Sequence, residues 1–153
     1  MHAAAQSAVW VKEPSSDAGV IIVTSAALPK YMIDKLHLAI EHWDEVGYLV
    51  VTQSNTLMLD WLQGSGQTFE TSASPSYASH LLRGVSKGSY LLDVEVGPEP
   101  SLSWLGSVRG HSLRVVKLRE TMGSNNAMDN QVEGVLSMVR ALVKNVLLER
   151  CVL

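Results

Sequence analysis

The chain has 153 residues, of which 46% are hydrophobic and 18% are charged, and its formal net charge is −3 at pH 7. These values indicate a single globular domain with a substantial core, and they exclude a disordered chain. The acidic balance argues against general nucleic-acid binding, which usually requires an excess of Lys and Arg. The single cysteine, Cys151, cannot form an internal disulfide, so we expect a protein of a reducing compartment and a cytoplasmic location.

Neither a signal peptide nor a transmembrane segment is expected. The first residues show no basic stretch followed by a long apolar core. No apolar run reaches the roughly 18 residues that a membrane-spanning helix needs. A membrane or cytoskeletal surface would therefore be reached only through partner proteins.

The N-terminal residues 1–24 are predicted to form an extension with one or two short strands. The candidate strands are residues 8–11 and 19–24, and the second is rich in β-branched residues and bounded by turn formers. A domain over residues 25–150 follows. It opens with a helix near Pro29, a residue suited to the first helical turn. The apolar face of this helix repeats every three or four residues, at Met32, Ile33, Leu36, Ile40 and Trp43.

A β-hairpin is predicted directly after this helix. Two β-prone runs, Tyr48–Thr52 and Thr56–Trp61, flank a three-residue segment with the length of a tight turn. Asn55 tolerates the positive φ that such a turn requires near its end. The almost continuous apolar run Tyr48–Val51 also indicates a strand that is covered on both faces.

The second half of the chain is predicted to contain two helices and three strands. The helices cover residues 75–87, with Ser74 as N-cap, and about 125–149. The strands cover residues 89–96, 102–109 and 112–120. The predicted fold class is therefore α/β, an α+β sandwich with a central, mostly antiparallel five-stranded sheet flanked by helices on both faces.

This order of elements resembles the Roadblock/LC7 family, the fold of dynein light chains and Ragulator subunits. The resemblance rests on residues 46–52 after the first helix, residues 77–82 within the second helix, and the strands over 90–120. The family pattern is α-β-β-α-β-β-β-α, or the same order without the last helix. The residues before Lys30 have no counterpart in the family core.

The resemblance implies a non-catalytic adaptor or scaffold subunit without a cofactor. Such a protein forms a homo- or heterodimer with a similar domain and binds partners such as small GTPases or subunits of motor and signalling complexes. In the family, the second helix and the following strand form the dimer seam. An apolar strand at a sheet edge needs cover or a partner, which suits that role. The implied protein interface consists of Tyr77, Leu81, Val85, Tyr90, Leu92, Val94 and Val96.

Candidate ligand sites in the sequence are incomplete. His37, Glu41 and Asp44 share one helix face and could converge on a metal, but no fourth ligand stands at a suitable spacing, so a solvated surface is favoured. The Gly64-Ser65-Gly66 segment lacks the lysine of a phosphate-binding loop, so a plain linker is favoured. We therefore expect no catalytic, cofactor-binding or metal-ligating residues.

A basic cluster lies within residues 109–119: Arg109, His111, Arg114, Lys117 and Arg119. A nucleic-acid surface would also need interleaved aromatic residues, and this segment has none. An edge strand or a solvated strand face is the favoured interpretation, and an anionic partner protein is the main alternative.

Two other classes of function remain open. A small enzyme or ligand-binding domain would need a pocket with convergent polar groups, which the sequence does not show. An assembly factor or structural core protein would share the mixed α/β layout without the adaptor role. The adaptor role requires a dimer or a tight partner, so a mass measurement in solution distinguishes these classes.

Overall fold

The computed structural model describes residues 6–66, 76–97, 102–119 and 124–151. The strands are β1 (Ala8–Lys12), β2 (Val20–Ser25), β3 (Val46–Val51), β4 (Tyr90–Val96) and β5 (Ser112–Leu118). The α-helices are α1 (Lys30–Ile40), α2 (Ser54–Gly66), α3 (Tyr77–Leu82) and α4 (Asn125–Cys151), and a 3₁₀ helix covers Ser103–Ser107.

The five strands form one mixed sheet in the order β1-β3-β2-β4-β5. Only β1 is antiparallel to its neighbour, β3, while the pairs β2–β3, β2–β4 and β4–β5 are parallel. The prediction of a five-stranded sheet is confirmed. The prediction that the sheet is mostly antiparallel is wrong, because strands joined through helices run in the same direction.

The predicted hairpin is also wrong. All six residues of β3 are buried, as expected for a strand that has neighbours on both sides and helices on both faces. The chain then leaves the sheet, and residues 54–66 form α2 instead of a second hairpin strand. Leu57 of this helix is fully buried, and it belongs to the core on this face of the sheet.

The three strands predicted over residues 89–120 reduce to two. Residues 90–96 and 112–118 are strands, as predicted, but the segment predicted as a strand over 102–109 is the 3₁₀ helix. Leu102 and Leu105 are both buried, and their three-residue spacing fits a 3₁₀ turn, in which side chains eclipse every three residues.

The three predicted helices occur near their predicted positions as α1, α3 and α4, but the predicted bounds are not all correct. Helix α4 confirms the long helix predicted at the end. Helix α3 covers Tyr77–Leu82, shorter than predicted, and its N-cap is Ser76, whose hydroxyl accepts a hydrogen bond of 3.1 Å from the Ser79 N–H. The predicted N-cap, Ser74, lies outside the described residues.

The N-terminal segment is part of the domain and not an appendage. Both predicted strands exist, and β2 lies at the centre of the sheet between β3 and β4. The described elements therefore differ in order from the α-β-β-α-β-β-β-α pattern of the Roadblock/LC7 family, since residues 54–66 form an α-helix and residues 103–107 a 3₁₀ helix where that pattern has strands.

Two apolar cores lie on opposite faces of the sheet. Helices α1 and α4 cover the face that carries Ile22, Tyr48 and Leu92. Helices α2 and α3 and the 3₁₀ helix cover the face that carries Leu49 and Leu91. None of the helices in the described ranges is long and apolar enough to cross a membrane.

Candidate functional site

An open apolar groove runs between the C-terminal half of α4 and the turn that joins α1 to β3. Its volume is about 470 Å³. Six of the nine side chains that line it are apolar or only weakly polar, and the other three are charged. The lining residues are Trp43, Glu45, Val46, Arg140, Val143, Lys144, Leu147, Leu148 and Cys151.

Helix α4 forms one wall of the groove because its apolar face is wider than the sheet can cover. A buried stripe, with members such as Val139, Leu142 and Val146, packs against the sheet. Leu147 and Leu148 continue the apolar character beyond this stripe, and they are 45% and 56% exposed. Exposed leucines beside an apolar groove are typical of an interaction surface.

The opposite wall is fixed by backbone hydrogen bonds around Trp43. Its N–H donates to the Ile40 carbonyl at 2.9 Å, and its own carbonyl accepts from the Val46 N–H at 3.1 Å. The Lys12 ammonium donates to the carbonyls of Ile40, at 2.8 Å, and of Trp43. The edge strand β1 therefore holds the end of α1 and the start of the groove together.

The groove is lined by two positively charged side chains and one negatively charged side chain. Arg140 lies over the Trp43 ring, with its guanidinium carbon 5.7 Å from the ring centroid, and is 3.7 Å from Glu133. Lys144 follows one helical turn later on the same wall, and Glu45 is the acidic residue on the other. The groove is therefore apolar at its base with two cations along the α4 side.

A second feature is a pair of buried carboxyl groups on β4. Asp93 and Glu95 are 0% and 8% exposed, and they point to the face covered by the 3₁₀ helix. Glu95 accepts a hydrogen bond of 3.2 Å from the Leu102 N–H and lies 3.9 Å from the Lys117 ammonium.

Asp93 is the unusual member of this pair. Neither carboxyl oxygen has a hydrogen bond of good geometry from the described residues. Burial first, and the neighbouring carboxyl group of Glu95 second, raise the pKa of Asp93 to about 8. A carboxyl group with this raised pKa favours its neutral form at pH 7.

The residues predicted as a dimer seam lie mostly in the core. Strand β4 is central, between β2 and β5, so the assumption that it is an edge strand is wrong. Leu92 and Val94 are buried under α1 and α4, and Leu81 and Val85 are buried on the opposite face. Those that keep partial exposure are Tyr77, Tyr90 and Val96.

The other sequence candidates are not brought together into a site. Within the described ranges, no three His, Cys, Asp or Glu side chains are placed to hold a metal ion, and this includes His37, Glu41 and Asp44. The Gly64–Gly66 segment is the last part of α2 and not a loop. The basic cluster lies on β5, in the segment before it and, for Arg119, directly after its last residue.

The groove was missed because its signal is spread over distant parts of the sequence. Leu147 stands in the apolar pattern of the last helix, but periodicity does not tell which member of a broad face is left uncovered. Trp43 similarly stands in the apolar pattern of the first helix, although α1 ends at Ile40.

No protein-family model matches the chain, and no curated protein is significantly similar to it.

Proposed function

We propose that this domain is a protein-interaction domain and that its groove binds an amphipathic helix of a partner protein. The observation that carries this proposal is the apolar groove of about 470 Å³ between Trp43 and the exposed Leu147 and Leu148. In helix-in-groove binding, apolar side chains on one face of the partner helix insert into a hydrophobic groove. The apolar base of this groove can accept such side chains.

The apolar part of the partner supplies the stabilisation. Removal of apolar surface from water is favourable by roughly 25 cal/mol for each Å². Leu147, Leu148 and Trp43 are the side chains that gain most from such cover. Aromatic and leucine anchors that fill a pocket dominate the binding energy of many interfaces.

The charges indicate which helix fits. Arg140 and Lys144 line the α4 wall, so acidic residues beside the apolar stripe of the partner complement them. A two-fold pairing of this groove with a second copy would bring the same two cations of both chains into one interface. An acidic amphipathic helix of a different protein is therefore favoured over a copy of this chain.

The proposed role agrees with the expectation of a non-catalytic interaction protein, but at a different surface. It is supported by the groove and not by the Roadblock/LC7 resemblance. A dimer, a small GTPase partner and a cytoplasmic location remain predictions from the sequence.

The test uses the full chain and a synthetic helical peptide with a leucine stripe flanked by glutamates. Binding is followed by NMR at the indole N–H of Trp43, which is identified by its loss in Trp43→Phe. We expect a saturable shift of this signal. We also expect Leu147→Ser to weaken binding at least about tenfold.

Two controls make the result specific to the groove. Leu38→Ser removes a leucine that is 69% exposed on α1 and does not line the groove, and it should leave the affinity unchanged. A peptide with lysines in place of the glutamates should bind more weakly. Equal binding by Leu147→Ser, or tighter binding of the lysine peptide, would overturn the proposed function, and so would a dimer that Leu147→Ser converts to a monomer.

A further inference from the structure

Strand β5 forms one edge of the sheet. It pairs on one side with β4 over seven residues, from Tyr90–Ser112 to Val96–Leu118. In a strand with one neighbour, alternate backbone N–H and C=O groups point away from the sheet. No other strand in the described part of the chain pairs with that side of β5.

This edge is also only partly covered on its two faces. Every residue of β5 is exposed or only partly buried, whereas the central strands are almost fully buried. Val115 is 43% exposed. A long uncovered edge strand is a template for pairing with another extended chain.

Two side-chain contacts connect this edge to neighbouring elements. The Gln131 side-chain amide on α4 donates to the Arg119 carbonyl at 2.8 Å. Arg114 lies over the Tyr90 ring of β4, 5.4 Å from the ring centroid. An added strand would therefore meet a preformed edge, which lowers the entropy cost of binding.

The charge of this edge is opposite to that of the whole chain. Residues 109–119 contain four of the 12 Lys and Arg residues and no Asp or Glu, in a chain of net charge −3. Natural edge strands often carry lysine to discourage pairing between copies. The same cations attract an extended segment of opposite charge.

We propose that the free edge of β5 accepts an extended, acidic segment of a partner protein as an additional strand. The backbone of the segment pairs with the outward groups of β5, and its carboxylates lie near Arg114 and Lys117. This surface is separate from the groove on α4 and does not depend on the function proposed for it.

The positions of the two cations set the pattern of the segment. Arg114 and Lys117 are three residues apart, so their side chains point to opposite faces of the sheet. A complementary strand therefore carries acidic residues three positions apart, with β-branched residues between them to pack beside Val115 and Val116. Nucleic acid is the less favoured partner, because no aromatic residue on β5 can stack with bases.

The test measures binding of a labelled peptide, Thr-Val-Glu-Val-Thr-Glu-Val, to the full chain by fluorescence anisotropy. A matched peptide is N-methylated on every amide, so it keeps the side chains but cannot donate backbone hydrogen bonds. We expect at least about tenfold weaker binding of the methylated peptide. We also expect slower amide hydrogen exchange over residues 112–118 when the unmodified peptide is bound.

Protein variants test the charges. Arg114→Gln with Lys117→Gln should weaken binding at least about tenfold, and added salt should weaken binding to the wild type. Lys30→Gln with Lys87→Gln removes the same charge from exposed positions outside β5 and should change the affinity less than about twofold. Thermal unfolding verifies that each variant is folded, and the peptide comparison on the wild type remains decisive if one is not.

Several results would overturn the β5 edge as the binding site. These are equal affinity of the methylated peptide, tighter binding of a single-stranded DNA oligonucleotide, and a dimer that dissociates when Arg114 and Lys117 are replaced. Loss of peptide binding in Leu147→Ser would place the peptide in the groove instead. Failure of the leucine-stripe peptide to bind the groove would leave the β5 result unaffected.

Discussion

Thr24 and Tyr48 join two neighbouring parallel strands through a hydrogen bond of 2.9 Å between their hydroxyl groups, and both residues are 0% exposed. Tyr48 belongs to the apolar core under α1 and α4, so the two hydroxyl groups pair with each other in apolar surroundings. Burial raises the pKa of the Tyr48 hydroxyl, so it stays protonated and remains available as a donor.

Tyr48→Phe is therefore expected to destabilise the domain. The substitution keeps the ring but leaves the Thr24 hydroxyl buried without this partner, which costs about 1–3 kcal/mol. Adding Thr24→Val removes the second polar group, so the double variant should lose less than the sum of the two single variants. Urea unfolding of all four proteins measures this coupling, and strictly additive losses would contradict it.

Asp93→Asn is expected to stabilise the domain and to flatten its pH dependence. The folded state raises the pKa of Asp93 from 3.8 to about 8. Between these values the folded protein binds more protons than the unfolded chain, so stability falls as pH rises through this window. Asparagine resembles the neutral carboxyl group and has no proton to lose.

The difference between wild type and Asp93→Asn should vanish below about pH 4 and be largest near pH 8, where we expect at least about 1 kcal/mol. Urea unfolding at several pH values measures it. Asp34→Asn is the matched control, because the Asp34 side chain is 61% exposed. A pH profile of Asp93→Asn that parallels the wild type would show that Asp93 is ionised in the fold.

The sequence allows the separate elements to be predicted better than their arrangement. The β-branched run of β2 and the periodic apolar face of α4 specify their own conformation locally. The direction of β4 relative to β2 depends on connections, and no local residue determines it. The apolar run of β3 did carry the signal of a parallel sheet, but the segment Gln53-Ser54-Asn55 fits both a hairpin turn and the start of a helix.

The candidate surfaces were less predictable than the elements. The groove needs Trp43 and Leu147 to lie on its two facing walls, although they are far apart in the sequence. Only the packing of α4 on the sheet brings them together. The basic residues of β5 were visible in the sequence, and the favoured interpretation as an edge or solvated strand face agrees with the edge position of β5. The kind of partner that these residues suit depends on the free side of the strand, which the sequence does not reveal.

Two glycines are expected to respond in opposite directions to alanine. A Cβ atom at Gly134 in α4 would meet nothing within 4 Å, so Gly134→Ala should stabilise the helix by roughly 0.5–1 kcal/mol. A Cβ atom at Gly19 would lie 2.9 Å from Val146 Cγ1, and the overpacking should cost about 1–3 kcal/mol. Thermal unfolding distinguishes them, and equal shifts in Tm would contradict the packing of Gly19 against α4.

Lys12→Met is expected to loosen the groove from a position outside it. The Lys12 ammonium binds the carbonyls of Ile40 and Trp43 at the C-terminal end of α1, where a cation also interacts favourably with the helix dipole. Methionine keeps the length of the side chain but cannot donate, so stability should fall by about 1.5–3 kcal/mol.

The readouts for Lys12→Met separate a local effect on the groove from general destabilisation. The Trp43 indole signal should shift without peptide, and the leucine-stripe peptide should bind more weakly. That peptide should also protect the single cysteine, Cys151, from alkylation less well than in the wild type, because Cys151 lines the groove. Lys30→Met is the matched control, since the Lys30 side chain is 86% exposed and forms an ion pair with Asp34 one turn away. An unchanged Trp43 signal and unchanged protection in Lys12→Met would show that the turn after α1 holds its shape without β1.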